Sequence, residues 1–263
     1  MKNFKIIILL ITVLIFGSCE KRIEDKAIPI MLPSFVLSYY EMDSFSLHEY
    51  TEKNRPALSI YGNALKKNGE WIVYDSLKNA EIYQELCRKH QDLTYNHTIY
   101  FKGGDYFLND FFANDFISLE IQSNADYDEQ HLAGTLLNDR VRYMSLSSYK
   151  FIQNQYGAYE WNNPEELASF KKYFWRILRD HYNNSTAGRG GFYPIDKLVS
   201  ELNLDDLKIF GPGYLSTYKE GGEPLAYLFF EHPPTLSKTH TFTVTLTTDD
   251  GKVFEDTITV TFE

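Results

Sequence analysis

The sequence predicts an α+β fold that consists mostly of antiparallel β-sheet, with sandwich-like strands at the C-terminus and two or three amphipathic helices. Three observations predict it: strict alternation of apolar and polar residues near the C-terminus, a well-capped helical pattern after residue 163, and several short strand-like runs before residue 150. Abundant Tyr and Phe suit the half-buried face of a sheet.

Two C-terminal runs predict a β-hairpin with one buried face. Asp249-Asp250-Gly251 separates them as a turn. Upstream, Leu225 to Phe230 is a continuous apolar run typical of a more buried strand, and Pro233-Pro234 interrupts the chain after it. This ending resembles the last strands of an immunoglobulin-like sandwich. The apolar face of the hairpin comprises Phe242, Val244, Leu246, Phe254, Ile258, Val260 and Phe262, alternating with threonines.

Three segments have helical periodicity. Asn163 can cap a helix with Pro164 at its first position and Glu166 placed for a capping box, and Leu167, Phe170, Phe174, Ile177 and His181 then share one face. A second helix is predicted over Pro194 to Leu202, where Ile195, Leu198, Val199 and Leu202 recur together, and a third over Ser76 to His90.

Six further runs predict strands, with Asn68-Gly69 as a hairpin turn. They are Phe35 to Tyr39, Ala57 to Tyr61, Trp71 to Tyr74, Thr98 to Phe101, Phe116 to Ile121 and Val141 to Leu146. A boundary could fall between residues 157 and 163. It would separate a sheet-rich region with one helix, residues 28–157, from helices and the hairpin, residues 158–263; a single domain over both is the alternative.

The first eighteen residues have the parts of a secretory signal. Lys2 and Lys5 supply a cationic start, Ile6 to Phe16 is an apolar run, and small residues follow. As a helix this run spans roughly 16 Å, against a hydrocarbon core of about 30 Å. It is too short to cross a membrane comfortably, so we expect residues 1–18 to be removed as a signal peptide.

The sequence Phe16-Gly17-Ser18-Cys19 resembles the lipobox of bacterial lipoproteins, with Phe16 where that pattern has Leu or another aliphatic residue. The resemblance implies that Cys19 becomes the acylated first residue of a mature chain held in a membrane by fatty acyl chains such as palmitate. Two or three acyl chains give a permanent anchor, whereas one gives marginal binding. An ordinary cleaved signal and an uncleaved anchor are the alternatives.

Residues 19–27 are short and charged and predict a lipidated tether, of which Glu20 to Ala27 could reach some 25 Å at roughly 3.3 Å per residue. Loss of Lys2 and Lys5 changes the formal net charge from −10 to −12. Such an acidic chain is a poor partner for nucleic acid, which requires clustered Lys and Arg. With Cys19 acylated, Cys87 is the only thiol left, so no intramolecular disulfide can form.

Alternate oxygen-bearing side chains at Asn124, Asp126, Asp128 and Gln130 predict a calcium site, with a solvated acidic loop as the alternative. The match to a calcium loop is partial, because Thr135 stands where a bidentate Glu belongs and Glu129 replaces the turning Gly. His131 could extend a transition-metal site, although a lone His is more often a hydrogen-bonding residue. No other cofactor is predicted.

Other chemical motifs are weak. Gly188-Arg189-Gly190-Gly191 could cradle an anion, but it lacks the Lys-Ser/Thr of a phosphate loop and fits a flexible helix exit better. The sequence has no Gly-x-Ser-x-Gly, His-Glu-x-x-His or Cys-x-x-Cys motif. Core packing explains most of the aromatic residues that could stack on sugars, which are Tyr39, Tyr40, Phe111, Phe112, Trp161 and Trp175.

Several segments are similar to a group of uncharacterised lipoproteins of the Gram-negative cell envelope. They are Asn114-Asp115-Phe116, Tyr127-Asp128, His131-x-Ala133-Gly134, Leu137-Asn138-Asp139 and a final His-x-Phe-Thr-Val strand at His240 to Val244. The resemblance covers about half of the chain and includes no catalytic motif, so it implies a location rather than an activity.

These observations predict a lipid-anchored protein of the outer membrane, on either of its faces, that is noncatalytic and binds a ligand or partner. A glycan or an envelope protein is the candidate partner. Two alternatives remain open: a hydrolase of extracellular glycans, and a structural assembly subunit. A hydrolase would need two carboxylates about 5 to 10 Å apart in an aromatic-lined cleft, and a subunit would expose a strand edge or an apolar patch.

Overall fold

The structure is a computed structural model that describes residues 28–52, 55–101, 109–174, 178, 192–210 and 224–263. The strands are β1 Ile28–Leu32, β2 Ser38–Tyr40, β3 Met42–Glu52, β4 Arg55–Ala64, β5 Lys66–Lys67, β6 Glu70–Trp71, β7 Val73–Asp75, β8 His97–Phe101, β9 Asp110–Phe112, β10 Phe116–Ser123, β11 Val141–Ser147, β12 Tyr193–Leu198, β13 Ala226–Phe230, β14 Thr239–Thr248 and β15 Val253–Thr261. The helices are α1 Ala80–His90, α2 Ser148–Gln153 and α3 Pro164–Tyr173. The predicted fold of mostly antiparallel sheet with a few helices is confirmed.

The largest sheet in the described residues has five strands in the order β12-β11-β13-β4-β3, and all of its pairs are antiparallel. Strand β13 corresponds to the predicted apolar run and lies at the centre of the sheet. Four of its five residues are buried, as expected for a strand with a neighbour on each side. Strands β4 and β11 are longer than predicted at one end or both. This sheet is the larger wall of the core.

The C-terminal hairpin forms as predicted. Strands β14 and β15 pair in register from Thr239 and Thr261 to Thr247 and Val253, and Gly251 takes the positive φ of 84° that the turn requires. Phe242, Val244 and Leu246 are fully buried. Strand β10 pairs with the other side of β14 to make a three-stranded sheet.

One hydrophobic core joins the inner faces of these two sheets. It includes Leu58 and Leu228 of the five-stranded sheet together with Ile121 and Val244 of the three-stranded sheet. The edges of the two sheets also meet, because the backbone N–H of Leu47 on β3 donates to the Asp256 carboxylate on β15 at 2.8 Å. Burial of one side chain of about Leu size stabilises the folded state by roughly 1.5–3 kcal/mol. This core contains the largest number of buried apolar residues in the described structure, so it is the main stabilising element.

A second core lies beneath α1, beside the sheet β7-β2-β9 and the ribbon β1-β8. Strands β2 and β9 are parallel, and the other pairs here are antiparallel. The predicted strand at Phe35 begins later, at Ser38, because the backbone amides of Phe35 and Val36 donate to Asp92 at 2.7 and 2.8 Å. Helix α1 begins at Ala80 rather than at Ser76.

Two short elements illustrate local sequence rules. Asn68 and Gly69 join β5 to β6 with φ values of 55° and 85°, so the predicted hairpin turn is confirmed. Asn163 caps α3 as predicted, because its side chain accepts from the backbone N–H groups of Glu165 and Glu166. The Glu166 carboxylate accepts from the hydroxyl of Tyr159 at 3.1 Å. Ile177 and His181 lie outside the described residues.

The predicted helix over Pro194 to Leu202 is wrong. Tyr193 to Leu198 form strand β12, which pairs with β11, and a single 3₁₀ turn, Val199–Glu201, follows. The strand lies at the edge of its sheet, where a proline is tolerated because its missing N–H can face solvent. Pairing with β11 therefore outweighed the helical spacing of the apolar residues.

Backbone pairing crosses the boundary considered near residue 157. Strand β10 pairs with β14, β4 pairs with β13, and β11 pairs with β12 and β13. The two sequence regions therefore share sheets. Within the described part of the chain, no helix is long and apolar enough to cross a membrane.

Candidate functional site

Three of the segments singled out in the sequence lie at one end of the three-stranded sheet, near His240, whereas Asn114-Asp115-Phe116 lies at the other end. The three are Tyr127-Asp128, His131-x-Ala133-Gly134 and Leu137-Asn138-Asp139. The loop from residue 124 to residue 140, which we call the corner loop, leaves β10 and returns as β11. Its Asn124 N–H donates to the Thr241 carbonyl at 3.1 Å, and the Thr241 N–H donates to Asn124 Oδ1 at 2.7 Å. The loop is thus fastened to the start of β14, next to His240.

The four predicted calcium ligands direct oxygens at protein donors. Asn124 Oδ1 accepts from Thr241, Asp126 Oδ1 accepts from the Ala133 N–H at 2.8 Å, and Gln130 Oε1 accepts from Arg140 at 3.0 Å. Asp128 Oδ1 accepts from the backbone N–H groups of Gln130 and His131, both at 2.8 Å. In the described ranges no three His, Cys, Asp or Glu side chains are placed to hold a metal. Calcium binding stays a prediction.

His131 lies between two carboxylates. Its Nδ1 is 2.7 Å from Asp128 Oδ1 and its Nε2 is 2.9 Å from Asp139 Oδ1. An ionised carboxylate only accepts hydrogen bonds, so a ring nitrogen that bonds to either carboxylate is the donor. Arg140 adds a cation, with Nε 3.3 Å from Asp128 and Nη1 3.0 Å from Asp139.

Electrostatics in the corner loop follow from this arrangement. Desolvation raises the pKa of Asp128, but the hydrogen bonds from His131, the Gln130 amide and Arg140 outweigh it. The pKa of Asp128 therefore lies well below its usual value. The side chain of His131 is buried, whereas Asp139 is half exposed, so the network closes the loop from its solvent side.

Asn138 attaches the corner loop to the free edge of β10. Its Oδ1 accepts from the Ile121 N–H at 3.0 Å, and its Nδ2 donates to the Leu119 carbonyl at 3.2 Å. The Leu137 N–H donates to the Ile121 carbonyl at 2.8 Å. These bonds occupy backbone groups that a further strand would need, so this stretch of edge is closed to strand addition.

Ser123 and His240 form a buried pair behind the corner loop. Ser123 Oγ lies 2.7 Å from His240 Nδ1, and His240 Nε2 lies 2.8 Å from the Ser237 carbonyl. A neutral ring that accepts from Ser123 and donates to Ser237 satisfies every partner. Both side chains are buried, so this serine-histidine pair braces the loop and is closed to a substrate.

A second histidine network lies at the opposite side of the fold, beneath α1. His90 Nε2 is 3.0 Å from both carboxylate oxygens of Asp115, and Nδ1 is 2.9 Å from the Tyr39 hydroxyl. Lys89 Nζ is 2.9 Å from Asp115 and 2.8 Å from Asp249. Desolvation opposes ionisation of Asp115, but His90 and Lys89 together lower its pKa to about 2.

Two further carboxyls beneath α1 escaped the sequence analysis. Asp92 accepts two backbone N–H bonds and one from the Tyr156 hydroxyl at 3.0 Å, yet desolvation still raises its pKa. Asp110 accepts from the Ser38 hydroxyl, and desolvation raises its pKa to about 6, with a smaller contribution from Asp75. No local spacing connects these residues with their partners, so a single sequence gives no signal for them.

The remaining residues singled out in the sequence lie either in the cores or outside the described residues. Tyr39, Phe111 and Phe112 are fully buried and pack in the cores, and Trp161 is partly buried against Phe170, so core packing is confirmed for these aromatic residues. Cys87 is a buried free thiol in the core beneath α1. Cys19, Trp175 and Gly188-Arg189-Gly190-Gly191 lie outside the described residues.

No family model matches the chain, and neither a curated protein nor a solved structure matches it.

Proposed function

We propose that the chain is a lipid-anchored protein of the cell envelope, located in the outer membrane, whose folded body binds a protein partner through the corner loop. The anchor is Cys19, attached after removal of residues 1–18. The observation that carries the proposal is the lipobox-like Phe16-Gly17-Ser18-Cys19, with the first strand of the folded body beginning at Ile28, only nine residues after Cys19.

The corner loop has the properties of a protein-binding surface. Three exposed leucines, Leu132, Leu136 and Leu236, belong to it or to the adjoining segment, whose Leu236 N–H donates to the Tyr127 carbonyl at 3.3 Å. The charged side chains of the His131 network belong to the same loop. Apolar side chains held on a rigid loop with a polar rim bind partners at low entropic cost.

We also propose that the five-stranded and three-stranded sheets form a sandwich. Their inner faces contribute to one core, and the edge strands β3 and β15 are joined at Leu47 and Asp256. A sandwich would place the corner loop at one end, where loops between strands converge and binding surfaces commonly lie.

The anchor is tested by mass spectrometry of the native protein and by labelling with an alkyne fatty acid. We expect acyl chains on Cys19, no residues 1–18, and loss of label in Cys19→Ala. An intact Met1, or an unmodified Cys19 thiol, would remove the anchor from the proposal.

Partner binding is tested by crosslinking in intact cells followed by affinity capture. Leu132→Ser and Leu236→Ser should reduce the captured partner, whereas Leu204→Ser, at a side chain 53% exposed like Leu132, should not. Equal capture by all three variants would move the binding surface away from the corner loop. Saturable binding of glycans, or turnover of them, would favour the glycan alternatives instead.

A further inference from the structure

Four exposed apolar side chains lie on α1, next to it in the sequence, or on β1. They are Met31 on β1, Leu77 before the helix, Ile82 on it and Leu93 after it. Leu77 is 96% exposed and Met31 is 67% exposed. Tyr83, Cys87 and His90 form the buried face of the same helix. The helix therefore has one apolar residue, Ile82, on its solvent side as well as an apolar core side.

These side chains lie near the point where the tether enters the fold. The Tyr83 hydroxyl donates to the Val36 carbonyl at 2.8 Å, and the Tyr95 N–H donates to the Pro33 carbonyl at 3.0 Å. Helix α1 and the segment after it therefore flank the chain just beyond β1. We call α1, β1 and residues 91–97 the α1 end.

The length of the tether limits which side of the body can touch a membrane. Nine residues from Cys19 to Ile28 reach at most about 30 Å when fully extended. A compact body of this chain length is roughly 45 Å across. The tether is therefore too short for the side opposite β1 to rest on the bilayer, and it keeps β1 within about 30 Å of the membrane.

From this geometry we propose that the α1 end rests on the lipid bilayer, with Met31, Leu77, Ile82 and Leu93 in contact with the membrane interface. This inference rests on the proposed anchor at Cys19. Acyl chains hold the protein at the membrane, and the α1 end fixes its orientation there. The corner loop then faces away from the lipid, toward a partner.

Charge at the α1 end indicates an apolar contact rather than an electrostatic one. The exposed helix surface bears Glu81 and Glu85 against Arg88 and Lys89, and Lys89 is already paired with Asp115 and Asp249. Attraction to anionic lipid requires an excess of cations, which is absent from the described surface of this helix. The contact should therefore change little with ionic strength.

The length of the hairpin β14–β15 gives the distance from the α1 end to Leu236, which serves as the matched control position. The turn of this hairpin lies beside α1, where Asp249 contacts Lys89 at 2.8 Å. The ten residues of β14 lead from that turn to the corner loop, which is about 30 Å away at 3.3 Å per residue. Leu236 lies there with 54% exposure, against 50% for Leu93 at the α1 end.

The experiment measures tryptophan quenching by brominated acyl chains. The full-length acylated protein carrying Leu93→Trp, Met31→Trp or Leu236→Trp is reconstituted in vesicles of phosphatidylethanolamine and phosphatidylglycerol, with and without dibrominated lipid. Quenching of the wild-type protein is subtracted to remove the native tryptophans. Because all three positions are exposed, each variant should retain the wild-type circular dichroism spectrum.

We expect Leu93→Trp and Met31→Trp to be quenched about twofold or more over Leu236→Trp, because interfacial side chains lie within 5–10 Å of the acyl boundary. The difference should persist in high salt. Equal quenching in a protein that is acylated and floats with the vesicles would overturn the inference and leave the anchor intact. An unacylated protein that fails to float would overturn both.

Discussion

The α1 end and the corner loop each contain a histidine paired with aspartate, but the two rings differ in burial and in their second partner. His90 is fully buried and has one donor and one acceptor as partners, so a neutral ring suffices. His131 has two carboxylates as partners and is balanced by Arg140 near solvent. Burying an unbalanced charge costs several kcal/mol, so the deeper site uses a hydroxyl where the shallower site uses a second carboxylate.

The difference indicates separate roles. The buried network joins α1 to β2 and to the segment before β10, so it fixes the positions of whole elements. The corner-loop network joins residues that are at most twelve positions apart, so it fixes the shape of one loop. Loss of the first should unfold the chain more readily than loss of the second.

The largest effect is expected for Asp115→Ala. It removes the acceptor for His90 and Lys89 and for the backbone N–H of Ile209, all at a buried position. Leaving buried donors unpaired should lower the free energy of unfolding by about 3–5 kcal/mol, measured by urea denaturation. Asp249→Ala removes only the exposed partner of Lys89 and should cost about 1 kcal/mol or less. Equal losses of unfolding free energy in the two variants would show that burial does not make Asp115 more important than Asp249.

Asn138→Ala should have the next largest effect. It leaves the Ile121 N–H and the Leu119 carbonyl on β10 without their side-chain partner, which should cost about 2 kcal/mol. Asn138→Asp is the matched control, since it keeps the acceptor for Ile121 and loses only the donor. Thermal unfolding should rank Asn138→Asp between the wild type and Asn138→Ala, and hydrogen exchange at Ile121 should accelerate only in Asn138→Ala.

Asp110→Asn tests buried charge at the α1 side of the molecule. The folded pKa of Asp110, about 6, exceeds its unfolded value, so its stabilising contribution is present below pH 4 and is lost as pH rises to 6. The amide keeps an acceptor for Ser38 and removes the charge. We expect about 1–2 kcal/mol of added stability at pH 7 and a flatter pH profile between 4 and 6. Asp43→Asn, at an exposed position, is the control and should add less stability at pH 7 than Asp110→Asn, because solvent screens an exposed charge.

The smallest effect is expected for His131→Gln. It replaces the imidazole ring with an amide and should cost about 1 kcal/mol, because the network lies near solvent. The pKa of Asp128 should rise toward its usual value, which carboxyl NMR shifts would report. In the wild type the stabilisation by Asp128 is present above pH 4 and is lost as pH falls through its depressed pKa. An unchanged Asp128 titration would show that the hydrogen bond from His131 does not lower the pKa of Asp128.

Local patterns predicted the elements that local forces determine. The alternation along β14 and β15, the cap at Asn163 and the turn at Asn68-Gly69 each appear where the sequence places them. Residues 194–202 fit both a helix and a strand, and pairing with β11 decided between them. The start of β2 was misplaced because Asp92, more than fifty residues away, binds the backbone of Phe35 and Val36.

The candidate site also has a part that the sequence predicts and a part that only the fold determines. Asn124, Asp126, Asp128 and His131 are close in sequence, so their placement on one loop was predictable, but the direction of each oxygen depends on Thr241, Ala133 and Arg140. The contact of His90 with Asp115 follows no period of helix or strand. Pairs of this kind can be identified only from the folded structure.

The pairing of β10 with β14 has a consequence for the order in which the fold is completed. Phe116 lies opposite Thr248, and Leu47 bonds to Asp256, so partners for the first half of the chain are supplied by its last residues. Long-range pairing of this kind is slow to form. On the ribosome, the five-stranded and three-stranded sheets stay incomplete until strands β13, β14 and β15 have been synthesised. Until then, the edge of β4 that pairs with β13 and the edge of β10 that pairs with β14 have no partner strand.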